Sequence, residues 1–168
     1  MTNNETLLTR LKNIKLLITD VDGVLTDGGL YYTEDGLMMK KFNVKDGMGT
    51  RLLRDAGIKT AIITTDTSEL IRIRAERVKA DYMYLGVWDK ENKLLEICES
   101  EKISPNQTAF IGDDVNDIGI VNTAGISACP IDAVDDIKNI VDLILTKKGG
   151  YGVFREFADL ILKAQKNK

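Results

Sequence analysis

The stretch Ile14-Lys15-Leu16-Leu17-Ile18-Thr19-Asp20-Val21-Asp22-Gly23-Val24 decides the fold. Its first six residues form a β-rich, mostly apolar run, which predicts a buried strand. Two acids and a glycine follow directly, at the point where that strand should end. Further along the chain, similar apolar runs alternate with segments whose apolar residues recur at helical spacing. This alternation predicts β-α units and a parallel sheet.

The other predicted elements follow the same alternation. Further strands are predicted over residues 59–64, 82–85 and 108–111, with short apolar pieces near Ile126 and Leu143. Helices are predicted from Met48 to Ala56 and over residues 68–78, 91–101, 115–124 and 153–164. Two β-rich runs, 30–33 and 37–42, flank Glu34-Asp35-Gly36, and an Asp-Gly pair in that position is typical of a hairpin. We therefore expect an α/β fold with a doubly wound parallel sheet and a β-hairpin inserted after the first strand.

Length and composition restrict the possible classes of protein. A chain of 168 residues fits a single domain, 1–168, with a hairpin flap at about 28–43 and a C-terminal tail and helix at about 147–168. The net charge of −3 has the wrong sign for a protein whose main partner is nucleic acid. No apolar run approaches the roughly 18 residues of a spanning helix, and the N-terminus lacks the layout of a signal peptide. We expect a cytoplasmic protein that binds neither nucleic acid nor membrane.

The chain contains no histidine, which excludes Ser-His-Asp and Cys-His nucleophile pairs and H-E-x-x-H zinc hydrolysis. Its two cysteines, Cys98 and Cys129, have no zinc-ligand spacing, so we expect them to be buried small hydrophobic residues. Catalysis by this chain would have to use carboxylates, lysine, hydroxyl groups and a hard metal ion.

Two acidic groups follow predicted strands. Asp20 and Asp22 lie at the end of the first strand, where one could bind metal and attack while the other transfers a proton. An Asp-x-Asp pair on its own favours a simple strand-to-loop turn, in which Asp and Gly merely supply turn chemistry. The second group, Gly112-Asp113-Asp114-Val115-Asn116-Asp117, follows another apolar run and could complete an all-oxygen shell suited to Mg²⁺. We expect Asp113 to be the ligand, with Asp114 and Asp117 capping the next helix or supporting the ligands.

A hydroxyl group and an ammonium group complete a candidate phosphate site. Thr64 ends the predicted strand 59–64, where its hydroxyl and nearby backbone N–H groups could hold phosphoryl oxygens. Lys90 precedes a predicted helix and could place its ammonium among the carboxylates. Either residue alone fits an ordinary cap or surface position. The order of these groups along the chain is more specific. An acid pair, a hydroxyl group, a lysine and a second acid cluster follow one another, each at the end or flank of a predicted strand.

This pattern resembles the haloacid dehalogenase superfamily over nearly the whole chain. The hairpin and the tail Gly149-Gly150-Tyr151-Gly152-Val153-Phe154-Arg155-Glu156 are similar to the cap-less branch, whose phosphatases act on 3-deoxy-manno-octulosonate 8-phosphate or keto-deoxy-nonulosonate 9-phosphate. The resemblance implies a homotetramer in which hairpins and tails of neighbouring subunits close the site.

The resemblance also implies roles for the site residues. Asp20 would attack phosphorus and form an aspartyl-phosphate, and Asp22 would protonate the leaving oxygen and then deprotonate water. Asp20, the backbone carbonyl of Asp22, and Asp113 would hold Mg²⁺. Thr64 and Lys90 would bind phosphoryl oxygens.

Substrate choice is expected to depend on the segment Thr64-Thr65-Asp66, where octulosonate phosphatases commonly carry an arginine at the third position. The nine-carbon branch tends to have an acid there and a basic residue one helix length on, as Arg77 is here. Asp66 and Arg77 are eleven residues apart, so on one helix they would share a face. This favours slightly the nine-carbon ester, with the eight-carbon ester close behind. Arg77 fits an ordinary solvated helix position equally well. The predicted substrate-binding residues are Lys45, Thr65, Asp66, Arg77 and Arg155, the last reaching a neighbour's pocket.

Two other classes of protein share some of these features. A signalling receiver domain also groups acids, a hydroxyl and a lysine around magnesium, but it places an adjacent acid pair near the first strand. A non-catalytic assembly domain, like the phosphatase-like tail of some sialic-acid activating enzymes, could lose the catalytic acids. Asp20, Asp22, Lys90 and Asp113 are all present here.

Overall fold

The protein is represented by a computed structural model that describes residues 3–166. Within those residues, six strands form one parallel sheet in the order β5-β4-β1-β6-β7-β8, and two more form an antiparallel hairpin. The strands are β1 Leu16–Thr19, β2 Tyr31–Thr33, β3 Gly36–Met39, β4 Lys59–Ile63, β5 Tyr82–Tyr84, β6 Thr108–Ile111, β7 Ile126–Cys129 and β8 Leu143–Ile144. The helices are α1 Asn3–Lys12, α2 Val44–Asp55, α3 Glu69–Val78, α4 Lys90–Glu101, α5 Ile118–Thr123, α6 Asp135–Lys138 and α7 Val153–Lys166.

The sheet has a hydrophobic core on each face. Successive side chains of a strand point to opposite faces, and in β1 Leu17 enters one core while Leu16 and Ile18 enter the other. Helices α1, α2, α3 and α7 cover the first face, and α4, α5 and α6 cover the second. The predicted α/β fold with a doubly wound parallel sheet is therefore confirmed.

The strand order places the centre of the molecule at β1. This strand pairs with β4 on one side and with β6 on the other, both in parallel. The order reverses beside β1, and open α/β sheets bind their ligands beyond the carboxyl ends of the strands at such a point. Residues that follow β1, β4 and β6 consequently share one edge of the sheet.

The structure corrects several predicted bounds. Helices α1 and α6 were not predicted, and residues 115–124 form a 3-10 turn, Val115–Asp117, before the short α5. Helix α2 begins at Val44 because the side chain of Asn43 caps it by accepting the Lys45 backbone N–H, so Lys45 is helical. Cys98 and Cys129 are buried and unpaired, as expected.

The hairpin of β2 and β3 lies within the predicted flap, and a bridge between Thr26 and Phe42 closes its base. Residues 1, 2, 167 and 168 of the predicted domain lie outside the described residues. None of the described helices is both long enough and apolar enough to cross a membrane.

Candidate active site

A cleft of about 460 Å³ opens at the carboxyl edge of the sheet. Asp20, Thr64 and Asp113 enter it from the ends of β1, β4 and β6, as the parallel strand arrangement predicts. Its volume is in the range of small-molecule sites. The complete lining is Asp20, Asp22, Gly23, Gly28, Thr64, Thr65, Trp88, Asp113, Asp114, Val115 and Asn116.

Lys90 connects two carboxylates beneath this cleft. The side chain of Asp89 caps α4 by accepting the Asn92 N–H, so the helix begins at Lys90. The Lys90 ammonium lies 3.1 Å from Asp20 Oδ2 and 2.6 Å from Asp117 Oδ1, and its side chain is 1% exposed. Burial on its own lowers the pKa of Lys90, but the charges of Asp20 and Asp117 raise it overall. Lys90 is therefore a buried, charged group, which fits its predicted role beside a phosphoryl group.

Asp117 supports two of the predicted site residues. It is fully buried, its Oδ1 accepts from Lys90, and its Oδ2 accepts the backbone N–H of Asp113 at 3.0 Å. It makes no side-chain cap hydrogen bond at the start of α5. Asp114 instead is exposed and accepts the Val115 N–H at 2.7 Å, as an N-cap does. Of the two residues expected to cap or support, Asp114 caps and Asp117 supports.

Three carboxylates lie close enough together to hold a metal ion. Oxygens of Asp20, Asp113 and Asp117 lie within 4.8 Å of one another. Among the described residues, Asp20 Oδ1 is buried without a hydrogen-bond partner. Burial, followed by the charge of Asp117, raises the pKa of Asp20 to about 6, and burial with the charge of Asp20 raises the pKa of Asp113 to about 8. A divalent cation would relieve this repulsion, and an all-oxygen donor set suits magnesium.

Gly23 is required at this site by its surroundings. Its φ of +77° favours glycine, and a Cβ at this position would lie 1.9 Å from Asp113 Oδ2. The glycine of the Asp-x-Asp-Gly turn thus lets the β1 loop pass directly beside the carboxylate that follows β6.

Asp22 has a different environment from Asp20. Its side chain is 36% exposed, Oδ1 accepts from the Thr26 hydroxyl at 3.2 Å, and Oδ2 accepts from the Lys40 ammonium at 2.5 Å. The same ammonium binds Asp66, which also accepts the backbone N–H of Ser68 at 2.5 Å. A partly exposed carboxyl at the mouth of the cleft suits the proton transfer predicted for Asp22.

Thr64 is 1% exposed at the carboxyl end of β4, and its hydroxyl oxygen accepts the Asp66 N–H at 3.3 Å. Within the described residues its hydroxyl proton is given to no other group, so it can serve a phosphoryl oxygen. Thr65 lines the cleft beside it.

The structure does not bring Lys45, Arg77 and Arg155 into the cleft of their own chain. The exposed Lys45 lies in the first turn of α2 near Gly152, and Arg155 forms an ion pair with Asp159 at 2.8 Å. Arg77 is exposed and lines a separate basic groove, together with Arg51, Arg54, Arg74 and Lys79. The shared helix face expected for Asp66 and Arg77 is wrong, because α3 begins only at Glu69 and helical spacing does not extend back to Asp66.

Among the site residues that sequence reasoning missed, two side chains bear on the chemistry. Lys40 reaches Asp22 from the hairpin, and Trp88, which is 76% exposed, lines the mouth of the cleft. Trp88 could have been predicted, because it lies two residues before Lys90, and residues next to a predicted phosphate ligand are expected near the substrate. No local pattern marks Lys40.

A family model described as haloacid dehalogenase-like hydrolase matches residues 61–157, more than half of the chain. The chain belongs to this family. Among its haloacid dehalogenase-like relatives, the 3-deoxy-D-manno-octulosonate 8-phosphate phosphatase KdsC of Haemophilus influenzae is 41% identical over 156 residues, covering 93% of this chain and 87% of the relative. The enzyme of the same name from Yersinia pestis is 39% identical and covers 93% and 83%.

Solved structures of haloacid dehalogenase-like relatives agree with this assignment. The cobalt-bound Haemophilus influenzae phosphatase superposes with a TM-score of 0.91 at 41% identity, covering 94% of this chain and 92% of that chain. The Moraxella catarrhalis 3-deoxy-D-manno-octulosonate 8-phosphate phosphatase gives 0.93 at 36% identity, covering 97% and 94%, and contains magnesium, phosphate and KDO. The predicted class of enzyme, a phosphoric monoester hydrolase, and the predicted cofactor, Mg²⁺, are thereby confirmed.

Proposed function

We propose that this chain is a magnesium-dependent phosphatase that removes the terminal phosphate of a 2-keto-3-deoxy sugar acid. The observation that carries the proposal is the cluster that buried Asp20, Lys90 and Asp117 form with half-buried Asp113 at the cleft. Asp20 Oδ1 has no partner there among the described residues. A carboxylate oxygen with no hydrogen bond keeps its lone pairs for a metal ion or for phosphorus. The neighbouring ammonium of Lys90 can meet the charge of a phosphoryl group.

The proposed reaction has two steps. Asp20 attacks phosphorus, the bond from phosphorus to the sugar oxygen breaks, and Asp22 delivers a proton to that oxygen. A water molecule then attacks the aspartyl-phosphate, Asp22 takes a proton from it, and the bond to Asp20 breaks. Magnesium held by Asp20, the backbone carbonyl of Asp22, and Asp113 would offset the charge of the phosphoryl oxygens. Thr64 and Lys90 orient the phosphoryl group throughout.

The eight-carbon ester is the first candidate substrate, because the similar Haemophilus, Yersinia and Moraxella proteins are phosphatases of 3-deoxy-D-manno-octulosonate 8-phosphate. The nine-carbon 2-keto-3-deoxy acid 9-phosphate stays a second candidate, since the acid Asp66 directly follows Thr65, which lines the cleft. Arg77 lies outside the cleft of its own chain, so it could bind either substrate only in the cleft of a neighbouring subunit.

A homotetramer is part of the proposal. The hairpin exposes a group of large apolar side chains, each 46% to 65% exposed: Leu30, Tyr31, Tyr32, Met38 and Met39. Large apolar side chains exposed in this number on one short hairpin support an interface between copies of the chain. Arg155 would reach a neighbour's pocket, and a cytoplasmic location stays a prediction. Light scattering should give the mass of a tetramer, whereas a stable and active monomer would contradict the assembly.

Phosphate release from a panel of sugar phosphates, with and without magnesium, tests the function. We expect the highest kcat/KM for one of the two sugar-acid esters and no release in excess chelator. A non-catalytic assembly domain would release no phosphate from any ester. A receiver-like domain would become phosphorylated from a small phosphodonor without turning over sugar phosphates.

A further inference from the structure

Lys40 has an unusual position for a hairpin residue. It directly follows β3, yet its side chain is 0% exposed and its ammonium contacts two carboxylates, Asp22 and Asp66. A buried ammonium is tolerated only when it is paired, and Lys40 is paired with both carboxylates. Hydrogen bonds to these two acids outweigh the effect of burial and raise the pKa of Lys40. Lys40 is therefore a charged link between the hairpin and the loops after β1 and β4.

The base of the hairpin supplies both donors to the Asp22 carboxyl. Thr26, which donates to Oδ1, is bridged to Phe42, and Lys40 lies two residues before Phe42. Asp66 in turn is held by the Ser68 N–H, so it gives Lys40 a fixed anchor on the far side. Without Lys40, the Asp22 carboxyl, which is 36% exposed, would be held among the described residues only by the Thr26 hydroxyl at Oδ1. Lys40 supplies the donor to the other oxygen, Oδ2.

We propose that Lys40 is a positioning residue for Asp22: its ammonium, anchored by Asp66, holds the proton-transferring carboxyl in place. The inference rests on the proposed function, in which Asp22 serves as the acid and base. It also gives Asp66 a role through Lys40, besides any contact of Asp66 with substrate. Orientation of a catalytic group is worth a large factor in rate, since a displacement of about 1 Å can lower turnover about 100-fold.

The next lysine in the chain provides a matched control. Lys41 is 47% exposed, forms an ion pair with Asp27, and donates to the Tyr151 hydroxyl at 3.3 Å. Lys41→Met therefore removes the same charge from the same end of the hairpin without touching Asp22. Lys40→Met removes the contact to Asp22 at similar side-chain volume.

The test compares phenyl phosphates that differ in the basicity of the leaving phenolate. A well-placed acid makes kcat/KM depend only weakly on that basicity, because the leaving oxygen receives a proton. We expect Lys40→Met to lower kcat/KM for the sugar-acid ester about 100-fold and to steepen the dependence across the phenyl phosphates. Lys41→Met should leave both within about twofold of the wild type, since an exposed ion pair contributes little. Equal losses for every phenyl phosphate in Lys40→Met would indicate a merely structural role and would overturn the inference.

Two further measurements keep the outcomes separate. Trp88 is the single tryptophan of the chain and lines the cleft, so its fluorescence reports the binding of inorganic phosphate. Equal phosphate affinity in wild type and Lys40→Met is expected, because the phosphate ligands are unchanged. If Lys40→Met does not fold, Asp66→Asn weakens the anchor instead, and the same steepening is expected; an unchanged slope would overturn the inference. A wild-type protein that releases no phosphate from any ester would refute the proposed function itself.

Discussion

Replacing Asp117 with asparagine removes one negative charge from the buried cluster without changing the size of the side chain. In the wild type, Asp117 Oδ1 accepts from the Lys90 ammonium at 2.6 Å and Oδ2 accepts the Asp113 N–H at 3.0 Å. Asparagine has one carbonyl oxygen, so it can serve one of these donors. Its NH₂ group must then face the other donor, which leaves a buried polar group unsatisfied.

The size of the effect follows from burial. Removing one partner of a buried ion pair costs about 3–5 kcal/mol in free energy of unfolding. Lys90 keeps Asp20 as a second partner at 3.1 Å, so the low end of that range, ~3 kcal/mol, is expected. For a domain of this size, that loss lowers Tm by roughly 6–12 °C.

Asp114→Asn is the matched control for this experiment. Asp114 belongs to the same acidic motif, but it is exposed and its Oδ1 only caps the following turn. Asparagine caps about as well as aspartate, so a change within about 0.5 kcal/mol is expected. Thermal and urea unfolding should be measured in chelator, because bound metal would add its own stabilisation.

A double-mutant cycle with Lys90→Met completes the argument. If Asp117 acts by pairing with Lys90, the double variant should be more stable than the sum of the single effects predicts, by about 0.5–3 kcal/mol. A Tm of Asp117→Asn close to that of Asp114→Asn, or strictly additive effects, would refute the assigned role of Asp117.

Four other outcomes are expected. Asp20→Asn should fold but release no phosphate, because an amide cannot attack phosphorus; near-normal turnover would exclude Asp20 as the nucleophile. Magnesium should restore the activity that is lost in chelator. Because the pKa of Asp113 is about 8 without metal, magnesium binding at pH 7 should release protons, which calorimetry in buffers of different ionisation enthalpy measures. Magnesium binding without proton release would contradict the assignment of Asp113 as a ligand.

Burial raises the pKa of Asp46 from 3.8 to about 6, so between these pH values the folded state keeps a proton that the unfolded state loses. The free energy of unfolding therefore falls by up to ~3 kcal/mol as the pH rises through this range. In urea unfolding, Asp46→Asn should therefore be more stable than the wild type at pH 7–8 but not near pH 4. A stability difference between the two proteins that does not change with pH would exclude a raised pKa of Asp46.

The sequence by itself determined the alternation of strands and helices and the position of most of the chemistry. Asp20, Thr64 and Asp113 follow apolar runs, and the carboxyl ends of parallel strands share an edge of the sheet, so their meeting could be inferred without coordinates. Bounds shifted where short-range hydrogen bonds decide the end of an element. Asn43 starts α2 earlier than the apolar pattern indicated, and α3 starts after Asp66.

Only the tertiary structure decided which charged groups pair. Lys40 meets acids 18 and 26 residues away, and Lys90 meets Asp117 27 residues further along the chain. Such contacts carry no local period, because they depend on strand order and on where the hairpin docks against the sheet. The same reason separates Arg77 from the cleft: its position on α3 was predictable, but the groove that α3 forms with α2 follows from packing between helices.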